Sequence, residues 1–399
     1  MNNDLLLHPA RWAVPALALC VGMGLNVESA RATAFDQTNL ISATSAISAA
    51  VTDPALVNPW GVSLSATSPF WISDEGTGVT QLNDGAGQPV AVAAANSSHI
   101  GVATPAGTTS NPTGQVSNSA GANTFNVSNG TTTASAAFIF ANLNGSISAW
   151  NPAVVAGQSV VVVNNTASGA VYTGLAIAGT GASATLYAAN VHSGQVDVFN
   201  SSFQQLASFT DPHAPAGFVP FNVQTLNGMV FVTYAPQNAA GNFVQNAAGQ
   251  GFVDEFNPNG TLVARVANIG TLNDPWGLAI APSTFGQFAG DLLVGNFGNG
   301  TIDAFNLATD TLAGTLDDAN GNAVTLPGLW ALTVGNGADA GSPDSLYFTA
   351  EIGAGEGLFG DLTAVPEPAS LSIMLLGLGA LGWTVFRQRR PADHTGLSA

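Results

Sequence analysis

Asn58-Pro59-Trp60-Gly61-Val62-Ser63-Leu64 and Asp274-Pro275-Trp276-Gly277-Leu278-Ala279-Ile280 are two copies of one phrase. Looser copies are Asn111-Pro112-Thr113-Gly114-Gln115-Val116, Tyr172-Thr173-Gly174-Leu175-Ala176-Ile177, Pro220-Phe221-Asn222-Val223-Gln224 and Pro327-Gly328-Leu329-Trp330-Ala331-Leu332. The six starts lie about 48 to 61 residues apart. Self-similarity at that period marks a repeat architecture, and the value suits propeller blades with a few loop insertions.

Each start is followed by an apolar strand, a polar Gly-rich turn and a strand ending in an aromatic residue or Leu. Examples are Phe138 to Asn142 with Gly145 to Trp150, Leu186 to Asn190 with Gly194 to Phe199, and Leu292 to Asn296 with Gly300 to Phe305. Gly145, Gly194 and Gly300 sit where a hairpin needs positive φ. Val196-Asp197-Val198-Phe199 and Ile302-Asp303-Ala304-Phe305 alternate with period two, as half-buried strands do. Between the two terminal segments no amphipathic helix stands out. The expectation is an all-β, six-bladed β-propeller over residues 35–364. Gln115 to Val127 breaks the pattern, so the second blade is expected to be irregular. The last blade, from Leu329 to about Thr363, holds only three strands. Gln37 to Ser42 is a spare strand at the other end, predicted to complete that blade and lock the ring.

Charge is sparse and one-sided. The chain has no Lys, and its six basic residues are Arg11, Arg31, Arg265, Arg387, Arg389 and Arg390. Between Phe35 and Val365 one Arg faces 20 Asp and Glu, a formal charge of −19 (1 − 20). Such a surface repels phosphate backbones, which argues against nucleic-acid binding. Cys20, the only cysteine, lies in the N-terminal apolar segment, so the β region has neither disulfide nor thiol chemistry.

Both ends read as addresses. Arg11, the apolar run from Trp12 to about Val27, and Ala32-Thr33-Ala34 form a signal peptide over residues 1–34, with cleavage after Ala34. At the other end Val365-Pro366-Glu367-Pro368-Ala369-Ser370 precedes an apolar run to Phe386, then Arg387, Arg389 and Arg390. That run is long enough for a single transmembrane helix, with the arginines on the cytoplasmic side and the β domain facing outward. The order Pro366-Glu367-Pro368, Gly-rich apolar helix and Arg cluster over 365–390 resembles the PEP-CTERM sorting signal. The resemblance implies recognition by an exosortase-type sorting protease, transient residence in the inner membrane, removal of the helix, and delivery to the cell surface or extracellular matrix. The short tail 391–399 departs from the pattern, since such signals stop soon after the arginines.

The middle is similar to uncharacterised PEP-CTERM-associated, NHL-like six-bladed propellers. The resemblance covers about Gln37 to Leu362. It rests on Asn58 to Ser63, Trp71-Ile72-Ser73-Asp74, Tyr172 to Ala176, Ala214 to Asn222, Asn273 to Ala281, Leu292 to Gly298 and Gly357-Leu358-Phe359-Gly360. It implies no settled activity.

In a propeller the starts of the innermost strands and the turns after the second strands gather on one face around the channel. Asn58, Asp74, Glu75, Asn142, Asn190, His192, Asn222, Asp274, Asn296 and Glu351 occupy such places. Oxygen-rich groups of this kind suit Ca²⁺. Asp74, Glu75, Asn190 and Asn296 are the candidate metal ligands, by analogy with six-bladed lactonases of the gluconolactonase type. Recurrent Asn is also the ordinary residue of tight turns. Trp60 and Trp276 fit either a carbohydrate-stacking face or packing between blades. No Gly-x-Ser-x-Gly elbow, His-Glu-x-x-His or phosphate loop is present, and His99 and His213 have no partner pattern. Catalytic residues are not identifiable. The reading favours an exported binding or scaffold module contacting exopolysaccharide or matrix protein. The alternative is a Ca²⁺-dependent hydrolase or lactonase at the channel.

Overall fold

A computed structural model describes residues 33–365. Within them, six largely antiparallel sheets follow one another along the chain, each with its innermost strand at one of the repeated phrases, Pro112–Ser117 in the second. The expected six-bladed propeller is present. Residues 1–32 of the signal segment and 366–390 of the anchor segment lie outside the described residues. Among the described residues no helix is long and apolar enough to cross a membrane.

Five blades contain the whole of their own strands, such as Pro275–Ile280, Leu292–Asn296, Ile302–Asn306 and Thr311–Thr315. The second carries an inserted hairpin, Asn126–Ser128 paired with Thr133–Ser135, between its first strand and Phe138–Asn142. This insertion is the irregularity seen in the sequence. The third has three regular strands, and only isolated bridges from Gln205 and Phe209 stand in for the fourth.

The sixth blade is closed by the other end of the chain. Phe35–Ser42 lies antiparallel to Gly357–Ala364, from Phe35 opposite Ala364 to Ser42 opposite Leu358. Phe35, Leu40 and Ile41 are buried. The Phe35 ring centroid lies 4.9 Å from that of Phe285, in the seam between the fifth and sixth blades. Ala34, the predicted cleavage position, is at the edge of this clasp. Its carbonyl accepts from Val365 N at 2.8 Å, and Phe35 N donates to Asp317 O at 2.9 Å.

The repeated phrase has one structural meaning throughout. In every blade the innermost strand breaks register with the second strand just after its start, between Pro59 and Val62, Tyr172 and Gly174, Pro220 and Asn222, and Pro275 and Gly277, for example. A bulge leaves one residue unpaired and re-aims its side chain. Those residues are Trp60, Thr113, Thr173, Phe221, Trp276 and Trp330, one per blade.

The next residue faces the neighbouring blade's innermost strand. A Cβ on Gly61 would stand 2.5 Å from Thr113 O, and one on Gly114 2.5 Å from Leu175 N. Side chains then tie the carbonyls at the bulges. Thr113 Oγ1 donates to Tyr172 O (2.8 Å), Thr173 Oγ1 to Phe221 O (2.7 Å), Asn222 Nδ2 to Trp276 O (2.7 Å) and Thr349 Oγ1 to Trp60 O (2.6 Å).

Two outcomes test this account. Deleting Phe35–Ser42 removes three buried apolar side chains worth roughly 1.5–3 kcal/mol each, and the midpoint should fall by on the order of 10 °C. Gly114→Val should cost about 1–3 kcal/mol by overpacking. Calorimetry reads both, and an unchanged melt of the deletion variant contradicts the clasp.

Candidate functional site

The channel is filled at the end where the innermost strands begin. Trp60 and Trp330 stack with centroids 3.6 Å apart, and Trp276 meets both edge-on at 6.2 and 5.8 Å. All three are almost fully buried. The Trp276 indole reaches across the ring from the fifth blade and donates to Thr173 O of the third at 3.1 Å. Phe297 stacks on Trp330 at 4.1 Å. Phe243 packs against Trp60 at 5.8 Å and Phe221 at 5.6 Å.

Phe243 comes from the long turn 237–251 of the fourth blade, which lies over this aromatic cluster. Gln237 Nε2 donates to Val191 O (2.6 Å), His192 Nδ1 meets Gly241 O (3.0 Å), and Asn246 Nδ2 donates to Gly298 O (2.9 Å). Of the two readings open for Trp60 and Trp276, packing is the one observed.

The sequence-derived candidates surround this plugged mouth, and all but Asp74 and Asp274 are engaged within their own neighbourhood. Glu75 is clamped by two amides: Asn58 Nδ2 to Oε2 at 2.9 Å and Asn111 Nδ2 to Oε1 at 2.6 Å. Asn58 Oδ1 in turn accepts from Trp330 Nε1 at 3.0 Å.

The recurrent asparagines form a clip. Asn190 Oδ1 accepts from Val171 N (3.1 Å) and its Nδ2 donates to Asp197 Oδ2 (2.9 Å). Asn296 Oδ1 accepts from Asn273 N (2.8 Å) and its Nδ2 donates to Asp303 Oδ2 (2.9 Å). Asn142 accepts from Asn111 N (3.2 Å), but Ser148 stands where the third and fifth blades have Asp197 and Asp303, and Nδ2 makes no bond. Glu351 accepts from Gly355 N at 3.1 Å. Asn222 is taken up by the Trp276 carbonyl. His99 Nε2 is 3.9 Å from Asp53 Oδ2, and the His213 backbone N donates to Asp211.

Asp74, Asn190 and Asn296 thus share one register position in the first, third and fifth blades. No hydrogen bond joins any two of them among the described residues. Nor do those residues contain a group of three or more His, Cys, Asp or Glu able to hold a metal ion.

Asp74 differs from its equivalents. It is fully buried, and neither carboxylate oxygen has a partner. Burial, and then repulsion from Asp53, push its pKa well above the ordinary carboxylate value. Gln81 stands where Asp197 and Asp303 stand, and its Oε1 is also without a partner. A protonated Asp74 would carry the donor that its counterparts Asn190 and Asn296 supply with their amides. Asp274, left-handed at φ 49° like its counterpart Asn58 at 46°, is pushed up to about 7 by burial, partly offset by the Ala247 backbone amide.

Past the plug, the channel widens into a cavity of about 320 Å³ that opens where the innermost strands end. Ser63, Gly114, Ser117, Leu175, Gln224 and Thr225 are among its walls, and the Trp276 side is its floor. No Asp, Glu, Lys, Arg or His lines it. The one basic side chain of the propeller, Arg265, is engaged by Asp254 and Asp211 with its guanidinium carbon 4.0 Å above the Phe252 ring.

Residues 364–390 match the PEP-CTERM protein-sorting motif. The chain is 32% identical over 326 residues to uncharacterized protein R648 of Acanthamoeba polyphaga mimivirus, covering 79% of this chain and 76% of the relative. The chain belongs to the R648 family. A second member, uncharacterized protein L690 of the same virus, is 29% identical over 288 residues, 69% of this chain and 73% of the relative. Among solved structures the R648-family propeller is similar to streptogramin B lyase (TM-score 0.48, 13% identity, 84% of this chain and 98% of that one). It is also similar to a gluconolactonase from Xanthomonas campestris (TM-score 0.36, 15% identity, 57% and 82%).

The buried carboxylates set a pH dependence. Asp74 and Asp274 have folded pKa values above the 3.8 of the free side chain. The folded state therefore holds protons that the unfolded chain has released, and stability falls as pH rises from about 4 through about 7. The melting temperature should be higher at pH 5 than at pH 8. Asp74→Asn supplies the clip's amide without a charge. It should raise stability at pH 8 by about 1–3 kcal/mol, the cost of an unsatisfied buried polar group, and flatten the pH dependence. Urea melts at the two pH values check both.

Proposed function

We propose that this propeller is a non-catalytic binding module, sorted to the cell surface or extracellular matrix, where it contacts matrix polysaccharide or protein. The carrying observation is the PEP-CTERM motif over 364–390 on a closed propeller where Glu75, Asn190 and Asn296 are spent on hydrogen bonds within their own blades and, for Glu75, also to Asn111. On this reading residues 1–34 are a signal peptide removed after Ala34, 35–364 the working domain, and 365–390 the sorting and membrane segment. Pro366, Glu367, Pro368, Arg387, Arg389 and Arg390 are what an exosortase-type protease recognises.

The rival is a Ca²⁺-dependent hydrolase using Asp74, Glu75, Asn190 and Asn296. Asp74 and Asp274, each buried with both oxygens free, are the observation in its favour. The amides closing on Glu75 and the Asn–Asp clips in separate blades favour binding without a metal. Calorimetric titration with Ca²⁺ separates the two. Weak, diffuse uptake fits an acidic surface, whereas one tight site lost in Asp74→Ala restores the hydrolase.

Full-length protein should be retained on the producer's own extracellular polymer, and replacing Pro366-Glu367-Pro368 by alanines should leave it in the inner-membrane fraction. Free passage over that polymer, where a control lectin is held, removes the binding reading.

A further inference from the structure

We infer that the cavity at the open end of the channel is a ligand seat for one uncharged, polyhydroxylated ring, such as a neutral hexose at the end of a glycan. The inference rests on the binding reading above and names its site and ligand class.

Three observations carry it. The first is electrostatic: a domain with 20 acidic residues keeps every ionisable side chain out of this lining. A cation would find no carboxylate to neutralise it. An anion would find no cation, since Arg265 is held by Asp211 and Asp254, and the surrounding −19 would oppose it.

The second is an excess of hydrogen-bonding capacity. Ser63 is more than nine-tenths buried, and its hydroxyl has no partner. Thr225, another residue of the lining, also has a hydroxyl without a partner; both hydroxyl oxygens are closed off from solvent, so each would turn about χ1 to meet a ligand. A buried polar group without a partner costs about 1–3 kcal/mol, so it calls for something to bind. The innermost strands are also terminal in their sheets, so their inward edges present N–H and C=O groups with no ladder partner. Hydroxyl groups, each both donor and acceptor, match such an alternating wall better than any group of a single type.

The third is shape. About 320 Å³ lies at the small end of the range for small-molecule sites, ~300–1,000 Å³. Leu175 and Trp276 give the cavity an apolar side against which the C–H face of a sugar ring can lie. The aromatic plug closes the far end, so the seat has one mouth and accepts a chain end rather than a threaded strand.

The test is calorimetric titration of the full-length protein with glucose, galactose and mannose, and with glucuronic acid as the anionic form of the same ring. Saturable binding of at least one neutral hexose is expected, with glucuronate at least tenfold weaker. Thr225→Phe, which fills the mouth, should abolish the binding. Ser63→Ala should weaken it several-fold at an unchanged melting temperature, which keeps the test decisive if the larger substitution misfolds. Crystals soaked in the bound sugar should show a ring in the cavity, and water alone there overturns the proposal. So does equal or tighter binding of glucuronate, or hexose binding that survives both substitutions. Retention on the native polymer without hexose binding sinks this seat and leaves the binding module standing. Hexose binding without such retention does the reverse.

Discussion

The fold depends on how closely the innermost strands of successive blades approach. Backbone of one blade sits where a side-chain carbon of the previous blade would otherwise be, as at Gly61 against Thr113 and Gly277 against the Trp330 carbonyl. Strands this close need a residue without a Cβ at the contact and a way to satisfy the carbonyls that face the axis. The bulge answers the second need. It turns one side chain per blade toward the axis, and threonine hydroxyls and the Asn222 amide take up carbonyls of the adjoining blade. Pro-Trp-Gly and Tyr-Thr-Gly are thus one solution written with different side chains. Where the glycine is replaced, as by Asn222 and Ala331, the second strand supplies a threonine, Thr233 or Thr349, that accepts the backbone N–H.

From that contact the division of the channel follows. Three of the six inward side chains are tryptophans and one is Phe221. Together they fill one mouth, while the two threonines are too small to do so. The turn 237–251 seals the filled end with Phe243. The unfilled length beyond the bulges is what remains as the cavity. A propeller with six small residues at the bulge would have an open tunnel, and one with six tryptophans would have no room for them. The mixture gives a cup.

The blade pattern was legible in the sequence because a repeated phrase constrains every copy alike, and the spare strand at 37–42 was legible because one blade was a strand short. The polar candidates were harder to judge. Asn142, Asn190 and Asn296 announce themselves by recurrence, but recurrence reflects the clip that each makes with a backbone N–H, completed by Asp197 and Asp303 in two of the three. Glu75 gives no hint in the sequence that Asn58 and Asn111 close on it, because those contacts join residues 17 and 36 positions apart. The plugging turn left a signal that pattern reading missed, the doubled Gln-Asn-Ala-Ala-Gly at 237–241 and 245–249. The cavity leaves none, being walled largely by strand edges whose chemistry every residue shares.

The pairing of Phe35 with Ala364 places the two ends of the wheel at a single point on its rim. A tether continuing from either end, or from both, would suspend the wheel from the same spot. Loss of one tether would then leave the hanging geometry as it was, and only loss of the second would set the wheel adrift.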